Sequence, residues 1–216
     1  MLHEVFHIQP QVFKTSHPPV CVSVCHGSEL KKSVVNAFLE TVVDDAIGVA
    51  PSYGSKCVLG TIAFSSLSQV LLVHLSTSRA SRQLRARRSG KAVKCSLLED
   101  ILCHQGSTKY AFKMDRLASA LHLDLDIHIT DGVDLLSVAK GDRHSVAALM
   151  TALGGEVTLN KAEVSMLFKD DEIGSDIRAT ATQAWLSCYV AQLQHMSRRF
   201  ANVARINTQV MNIKVS

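Results

Sequence analysis

Residues 46–76 constrain the fold of this chain more than any other stretch. Three apolar, β-rich runs follow one another there: AIGVAPSY, CVLGTIAFSS and QVLLVHLS. Gly54-Ser55 and the cluster Ser65 to Ser68 supply turn residues between them. Short connections of that composition predict a meander of three antiparallel strands. Upstream, PPVCVSVCH reads as a strand entered through Pro18-Pro19. SELKKSVVNAFLETVVDD then reads as a helix with Ser28 at its N-cap and Val34, Val35, Phe38, Leu39, Val42 and Val43 at helical spacing.

Downstream the pattern alternates. SLLEDILCHQ is predicted helical, TKYAFKM extended, DRLASALHLD helical and LDIHIT short and extended. From Arg143 the chain reads as helices: SVAALMTALGG closing on Gly154-Gly155, then NKAEVSMLFKDDE, then DIRATATQAWLSCYVAQLQHMSRRF. The expectation is an α/β protein whose mixed sheet opens with antiparallel strands, carries helices on its faces and ends in a helical layer. One domain over 20–195 is expected, with an arm at 1–19, a basic insertion at 78–94 and a tail at 196–216.

At 216 residues and 47% apolar content, the chain has ample material for one core. No apolar run reaches 18 residues, so no membrane span is indicated. The opening MLHEVFHIQPQVFK lacks a basic n-region followed by an apolar stretch. An intracellular location is expected, with nucleus and cytoplasm not distinguished. Cysteines at 21, 25, 57, 95, 103 and 188 form no CxxC pair and read as reduced, buried thiols. Cys21, Cys25 and His26 lack a second Cys/His cluster to complete a metal site.

The net charge of +4 is concentrated rather than spread. TSRASRQLRARRSGKAVK holds Arg79, Arg82, Arg85, Arg87, Arg88, Lys91 and Lys94 with no acidic residue. Two readings stand: a phosphate-attracting segment acting by Coulomb steering and counterion release, or a solvated insertion.

Three stretches together resemble the ribonuclease D-like, Werner-type 3′–5′ exonuclease domain, over roughly residues 20–195. AIGVAPSYGSKCVLGTIAFSSLSQVLLVHL is similar to that family's opening strands. LLEDILCHQGSTKYAFKMDRLASALHLDLDIHITDGVDLLSVA is similar to its helix–strand–helix passage. SVAALMTALGGEVTLNKAEV with DEIGSDIRATATQAWLSCYVAQL is similar to its helical end. The resemblance implies a ribonuclease H-like fold. It also implies four carboxylates around two divalent metals roughly 4 Å apart, one activating water and one stabilising the leaving oxygen.

The positions that should carry this chemistry do not. The Asp-x-Glu of the first strand falls on Ala50 and Ser52, the second aspartate on Lys113, the last on Gln183, and its tyrosine partner on Ala179. A lysine about 4 Å from a divalent ion would cost on the order of 8 kcal/mol at an effective dielectric near 20. A two-residue slip would bring Asp115 into the second motif. Moving Asp44 or Asp45 into the first would displace the apolar AIGV from the core.

The expected function is therefore a nuclease-dead exonuclease-like domain serving as an adaptor. It would bind single-stranded nucleic acid weakly through the basic run and Lys113, bind protein partners, and allow a homodimer. No metal or other cofactor is expected. Two alternatives remain. An active exonuclease using Mg²⁺ or Mn²⁺ would follow from a different register, and a pure protein-interaction scaffold from a basic run without nucleic-acid contact.

Other residues read as structural. Asp134 sits where the family often has an acid outside the metal site, and Trp185 and Tyr189 are spaced for core packing. His104, His122, His128 and His144 lack a nucleophile elbow to serve. GxGxxG and GxxxxGK[ST] phosphate loops are absent from the sequence.

Overall fold

A computed structural model describes residues 4–54, 57–75, 92–139, 141–143, 145–155, 158–169 and 176–209, without the side chains of 92–95. The basic residues Arg79, Arg82, Arg85, Arg87, Arg88 and Lys91 lie outside the described residues, as does His144. Of Lys94 only the backbone is described.

The described strands are β1 (Glu4–Ile8), β2 (Val20–His26), β3 (Ala46–Tyr53), β4 (Leu59–Ser65), β5 (Gln69–His74), β6 (Thr108–Ala111) and β7 (Gly132–Asp134). They form one sheet in the order β1-β2-β5-β4-β3-β6-β7. The meander is present as expected: β4 runs antiparallel to both β3 and β5, with Ala50 opposite Ala63 and Ser52 opposite Thr61. β2 joins β5 in parallel, and β3, β6 and β7 are mutually parallel. This mixed sheet with antiparallel first strands is the ribonuclease H-like architecture that the resemblance implies.

Helices cover both faces, as the nearly continuous apolar runs of β4 and β5 require. On one face α1 (Lys32–Leu39), α2 (Ala92–Leu102) and α3 (Met114–Leu125) pack in an apolar cluster with Ile47, Val49, Ile62, Phe64, Leu71 and Val73. On the other, α4 (Val146–Ala152), α5 (Lys161–Leu167), α6 (Ile177–Gln192) and α7 (Gln194–Phe200) cluster with Val22, Val24, Ala50, Ala63, Val70 and Leu72. The alternation of neighbouring β3 residues between the two clusters follows from the period-2 geometry of a strand. No helix among the described residues is long and apolar enough to cross a membrane.

The structure departs from the sequence reading at six places. Ser28 caps no helix. The amides of Glu29 and Leu30 turn back onto the His26 carbonyl, and α1 starts at Lys32 behind Lys31, whose side chain makes no cap bond. LDIHIT is not a strand, because its amides are taken by helix ends and by the C-terminal segment. Ile127 N donates to Leu121 O, Thr130 N to Leu102 O and Ile129 N to Thr208 Oγ1. The strand beside β6 is Gly132–Asp134.

The stretch 1–19 is not a separate arm, since Glu4–Ile8 pairs antiparallel with β2 and Val12 and Phe13 are buried. Residues beyond 195 also belong to the core. Met196 and Phe200 are buried, and Gly132 and Ile206 exchange backbone hydrogen bonds. Finally, the last long helix breaks at Leu193, whose ψ of 122° is extended, and α2 opens at Ala92, within the stretch read as basic insertion.

Candidate functional site

β3, β6 and β7 are parallel, so their C-terminal ends meet on one edge, the place where open α/β sheets present ligand sites. Two residues beyond the Gly48–Tyr110 pair come Ala50 on β3 and Phe112 after β6, with Ser52 and Lys113 beside them. Ala111 pairs with Asp134 at the end of β7. α6 crosses the same region of the β3 face. Cys188 Sγ donates to Ala46 O at 3.4 Å and Gln192 Nε2 to Val43 O at 3.0 Å, so the N-terminal half of α6 lies toward the Ala50 end. Ala50, Ser52 and Lys113 thus lie around one end of the sheet, and Ala50 shares an apolar cluster with Ala181 and Ala184 of α6.

The contacts of Ala50 and Gln183 are apolar packing and a hydrogen bond to backbone. Ala50 is 3% exposed and lies in one apolar cluster with Ala181, Ala184 and Trp185. Gly48, two residues away, is so close to α6 that a Cβ on it would run into the Ala184 carbonyl. Gln183 donates its amide to Leu167 O at 2.7 Å, tying α6 to the end of α5. Ala179 lines a shallow groove with Gln9, Val12, Glu163, Asp176 and Thr182. Lys113 is half-buried and adopts a left-handed conformation (φ 57°) at the junction of β6 and α3.

Asp115 occupies the exposed first turn of α3, where its carboxylate accepts from the Arg116 amide at 2.8 Å. Asp44 and Asp45 are exposed in the turn before β3, and the four strand steps from Ala46 to Ala50 alone span about 13 Å. The pairing of Ala50 with Ala63 leaves no slip that brings them to the site. Ala50, Ser52, Lys113 and Gln183 carry no carboxylate, so this donor set does not fit two divalent ions.

Two groups near this edge have perturbed acidity. Asp134 is buried, which pushes its carboxyl above the ordinary range. The Leu136 amide, donating at 2.9 Å, pulls it back, nearby Asp115 raises it further, and Arg143 at 3.8 Å and the Lys113 amide lower it. Asp134 therefore joins β7 to the β6–α3 junction and caps the 3₁₀ turn Leu135–Val138, a structural role. Tyr53, at the end of β3, carries the Arg116 guanidinium 4.4 Å from its ring centroid. Burial pushes its phenol up to about 12, against the opposing pull of Arg116.

Elsewhere Trp185 is core, donating to Leu67 O at 3.0 Å and stacking on Tyr189 at 4.9 Å between ring centroids. Cys21 and Cys25 are four residues apart on extended β2, about 13 Å, too far to share an ion. Sequence reasoning missed Lys109. It is 0% exposed, and its ammonium donates to His104 O at 2.7 Å and Ser107 O at 2.6 Å. Burial lowers its pKa to about 8, although Asp131 pulls the other way. A lysine inside a four-residue strand gives no sign of this, since the two carbonyls that hold it come from the preceding loop.

Among solved structures, the chain is similar to RNase D of Trypanosoma brucei, with 11% identity and a TM-score of 0.47 over 78% of this chain and 63% of that one. It is similar to the EXD2 exonuclease domain soaked in Mn and GMP, with 15% identity and a TM-score of 0.40 over 83% and 93%. It is also similar to the catalytic core of RRP6 from Trypanosoma brucei, with 15% identity and a TM-score of 0.45 over 78% and 45%. The chain thus spans less than two thirds of the length of that RNase D and less than half of the RRP6 core. No family model and no curated protein matches the sequence.

Proposed function

We propose that this chain is an exonuclease-like domain without metal-dependent cleavage, acting as a binding module for single-stranded nucleic acid and for protein partners. One observation carries the reading: where the resemblance requires carboxylates, the sheet edge has Ala50 in an apolar cluster with Ala181 and Ala184, and Gln183 hydrogen-bonded to backbone. A two-metal centre needs anionic oxygens and room for water, and this contact offers neither. The active alternative would rest on Asp115, and one exposed carboxylate does not organise two ions. With no metal to neutralise phosphates, Lys113 and the run Arg79 to Lys94 are the charges available for that task.

The test uses the purified full chain with Mg²⁺ and a 3′-tailed oligonucleotide. Mg²⁺ should bind no tighter than about millimolar, and the oligonucleotide should stay intact while binding weakly, with an affinity that falls steeply with salt. Arg85→Glu, Arg87→Glu and Arg88→Glu together should abolish binding. Degradation by the unmodified chain would establish the active alternative. Absence of nucleic-acid binding at low salt would leave the protein-interaction scaffold.

A further inference from the structure

A second cluster of chemistry-bearing side chains lies on the other side of the sheet. HLDLDIH, residues 122–128, brings His122, Asp126 and His128 together at the C-terminal end of α3, with one ligand atom from each within 4.8 Å of the others. α3 buries Leu117, Ala118, Leu121 and Leu125 in the cluster of Ile47 and Val49, whereas Ala50 belongs to the opposite cluster. The group is thus separate from the β3–α6 contact.

We propose that His122, Asp126 and His128 form a binding site for a borderline divalent transition-metal ion, of which Zn²⁺ is the representative. Two imidazoles and a carboxylate are a nitrogen–oxygen donor set suited to zinc and its neighbours, with water completing the coordination. Magnesium, which takes oxygen ligands in near-octahedral array, is not served by it.

Two features point to a cation. His122 Nδ1 is buried with no hydrogen-bond partner, an imidazole nitrogen left unsatisfied in a half-buried residue. Asp126 caps α3 in a left-handed conformation, φ 56° and ψ 43°, where glycine is the usual choice. Its carboxylate also stands at the negative end of the helix dipole, where a cation, not an anion, is favoured. A bound divalent ion would offset that unfavourable placement.

The third ligand is held by its surroundings. The His128 amide donates to Glu99 Oε1 at 2.9 Å, and its carbonyl accepts from Cys103 Sγ at 3.3 Å. Thr208 Oγ1 lies 3.5 Å from His128 Nδ1, an outer partner of the kind that orients metal-binding imidazoles and leaves Nε2 for the ion. Because the same threonine hydroxyl accepts from Ile129 N at 2.9 Å, the ion would fasten α3, the 126–130 segment and the Ile206–Gln209 segment together.

The experiment is Zn²⁺ calorimetry and Co²⁺ absorption spectroscopy on the full chain, metal-free at the start. Expected are one Zn²⁺ per chain in the micromolar range or tighter, and Co²⁺ bands of four- or five-coordinate intensity that Zn²⁺ abolishes. Zn²⁺ should also raise the melting temperature. Asp126→Asn keeps size and tolerance of the left-handed conformation, so its metal-free melting should match the parent, while Zn²⁺ affinity falls by more than about tenfold. His128→Ala should lose it further, and His26→Ala, which alters the separate His26–His74 pair, should retain it. Absence of Zn²⁺ binding below about 100 µM in the parent would overturn the site. Unchanged affinity in Asp126→Asn would do so too, and that variant decides the matter even where His128→Ala fails to fold. The Mg²⁺ test of the β3–α6 edge reads a different donor set, so the two readings fail independently.

Discussion

Gly48→Ala tests the contact that closes the β3–α6 edge. A Cβ at position 48 runs into the Ala184 carbonyl oxygen and lies 2.6 Å from Cys188 N and 2.9 Å from Cys188 Cβ, where ordinary contacts begin near 3.4 Å. The obstructing atoms at the two closest points are backbone, so no rotamer change relieves the clash and α6 must retreat. Retreat is resisted along the helix by Gln183 to Leu167 O at 2.7 Å, Trp185 to Leu67 O at 3.0 Å and Gln192 to Val43 O at 3.0 Å. Overpacking by one methyl costs about 1–3 kcal/mol where side chains can give, and here the upper end applies. Stiffening of the unfolded chain returns roughly 0.5–1 kcal/mol. The net is about 2 kcal/mol, which at a urea m-value near 2 kcal/mol/M lowers the unfolding midpoint by about 1 M. Gly60→Ala is the control, because its added Cβ meets nothing closer than 3.7 Å. Urea titration followed by far-UV circular dichroism reads both. A Gly48→Ala midpoint within about 0.3 M of the parent would refute the claim that α6 seals this edge.

Two pH predictions follow from buried charges. The pKa of Lys109 drops from 10.5 unfolded to about 8 folded, so between those values the unfolded chain binds more protons and stability rises with pH, by about 3 kcal/mol in all. Denaturant titrations across pH 8–10.5 should show the rise in the parent and not in Lys109→Met. Asp134 has the opposite sense: its folded pKa is raised, so its contribution is fully present below the unfolded carboxylate range and is lost as pH rises through the folded value. Asp134→Asn keeps an acceptor for the Leu136 amide and should remove this pH dependence, leaving the variant at least as stable as the parent at neutral pH when measured by thermal melting.

The meander of β3 to β5 was legible because its evidence is local: apolar runs, turn residues and short connections all sit in thirty consecutive positions. The LDIHIT segment shows where such reading stops. Its alternation is real, with Ile127 and Ile129 buried and His128 between them half-exposed. What the alternation does not specify is a partner, and the partners turn out to be the Leu102 carbonyl and Thr208, distant in sequence. The same holds for Glu4–Ile8, too short to announce itself as a strand until β2 is beside it. His122, Asp126 and His128 were legible as residue types, but a cluster across a helix end depends on the left-handed turn at Asp126. Aspartate, unlike glycine, gives no warning of that turn.

At the β3–α6 edge, the absent carboxylates and the tight packing are two sides of one physical fact. A metal centre keeps a strand and helix apart, since ions, their ligands and their water need volume and cannot be dried without large cost. Ala50 and Gln183 carry no charge that demands hydration, and small residues let the backbones close. Gly48 against Ala184 and Cys188, with Ala50 and Ala181 in the same cluster, is that closure. The closed contact then resists reversal: a carboxylate returned singly to position 50 would be buried among methyl groups without the other three or their ions to pair with it. Placing carboxylates at 50 and 183 would therefore require several substitutions at once and a shift of α6.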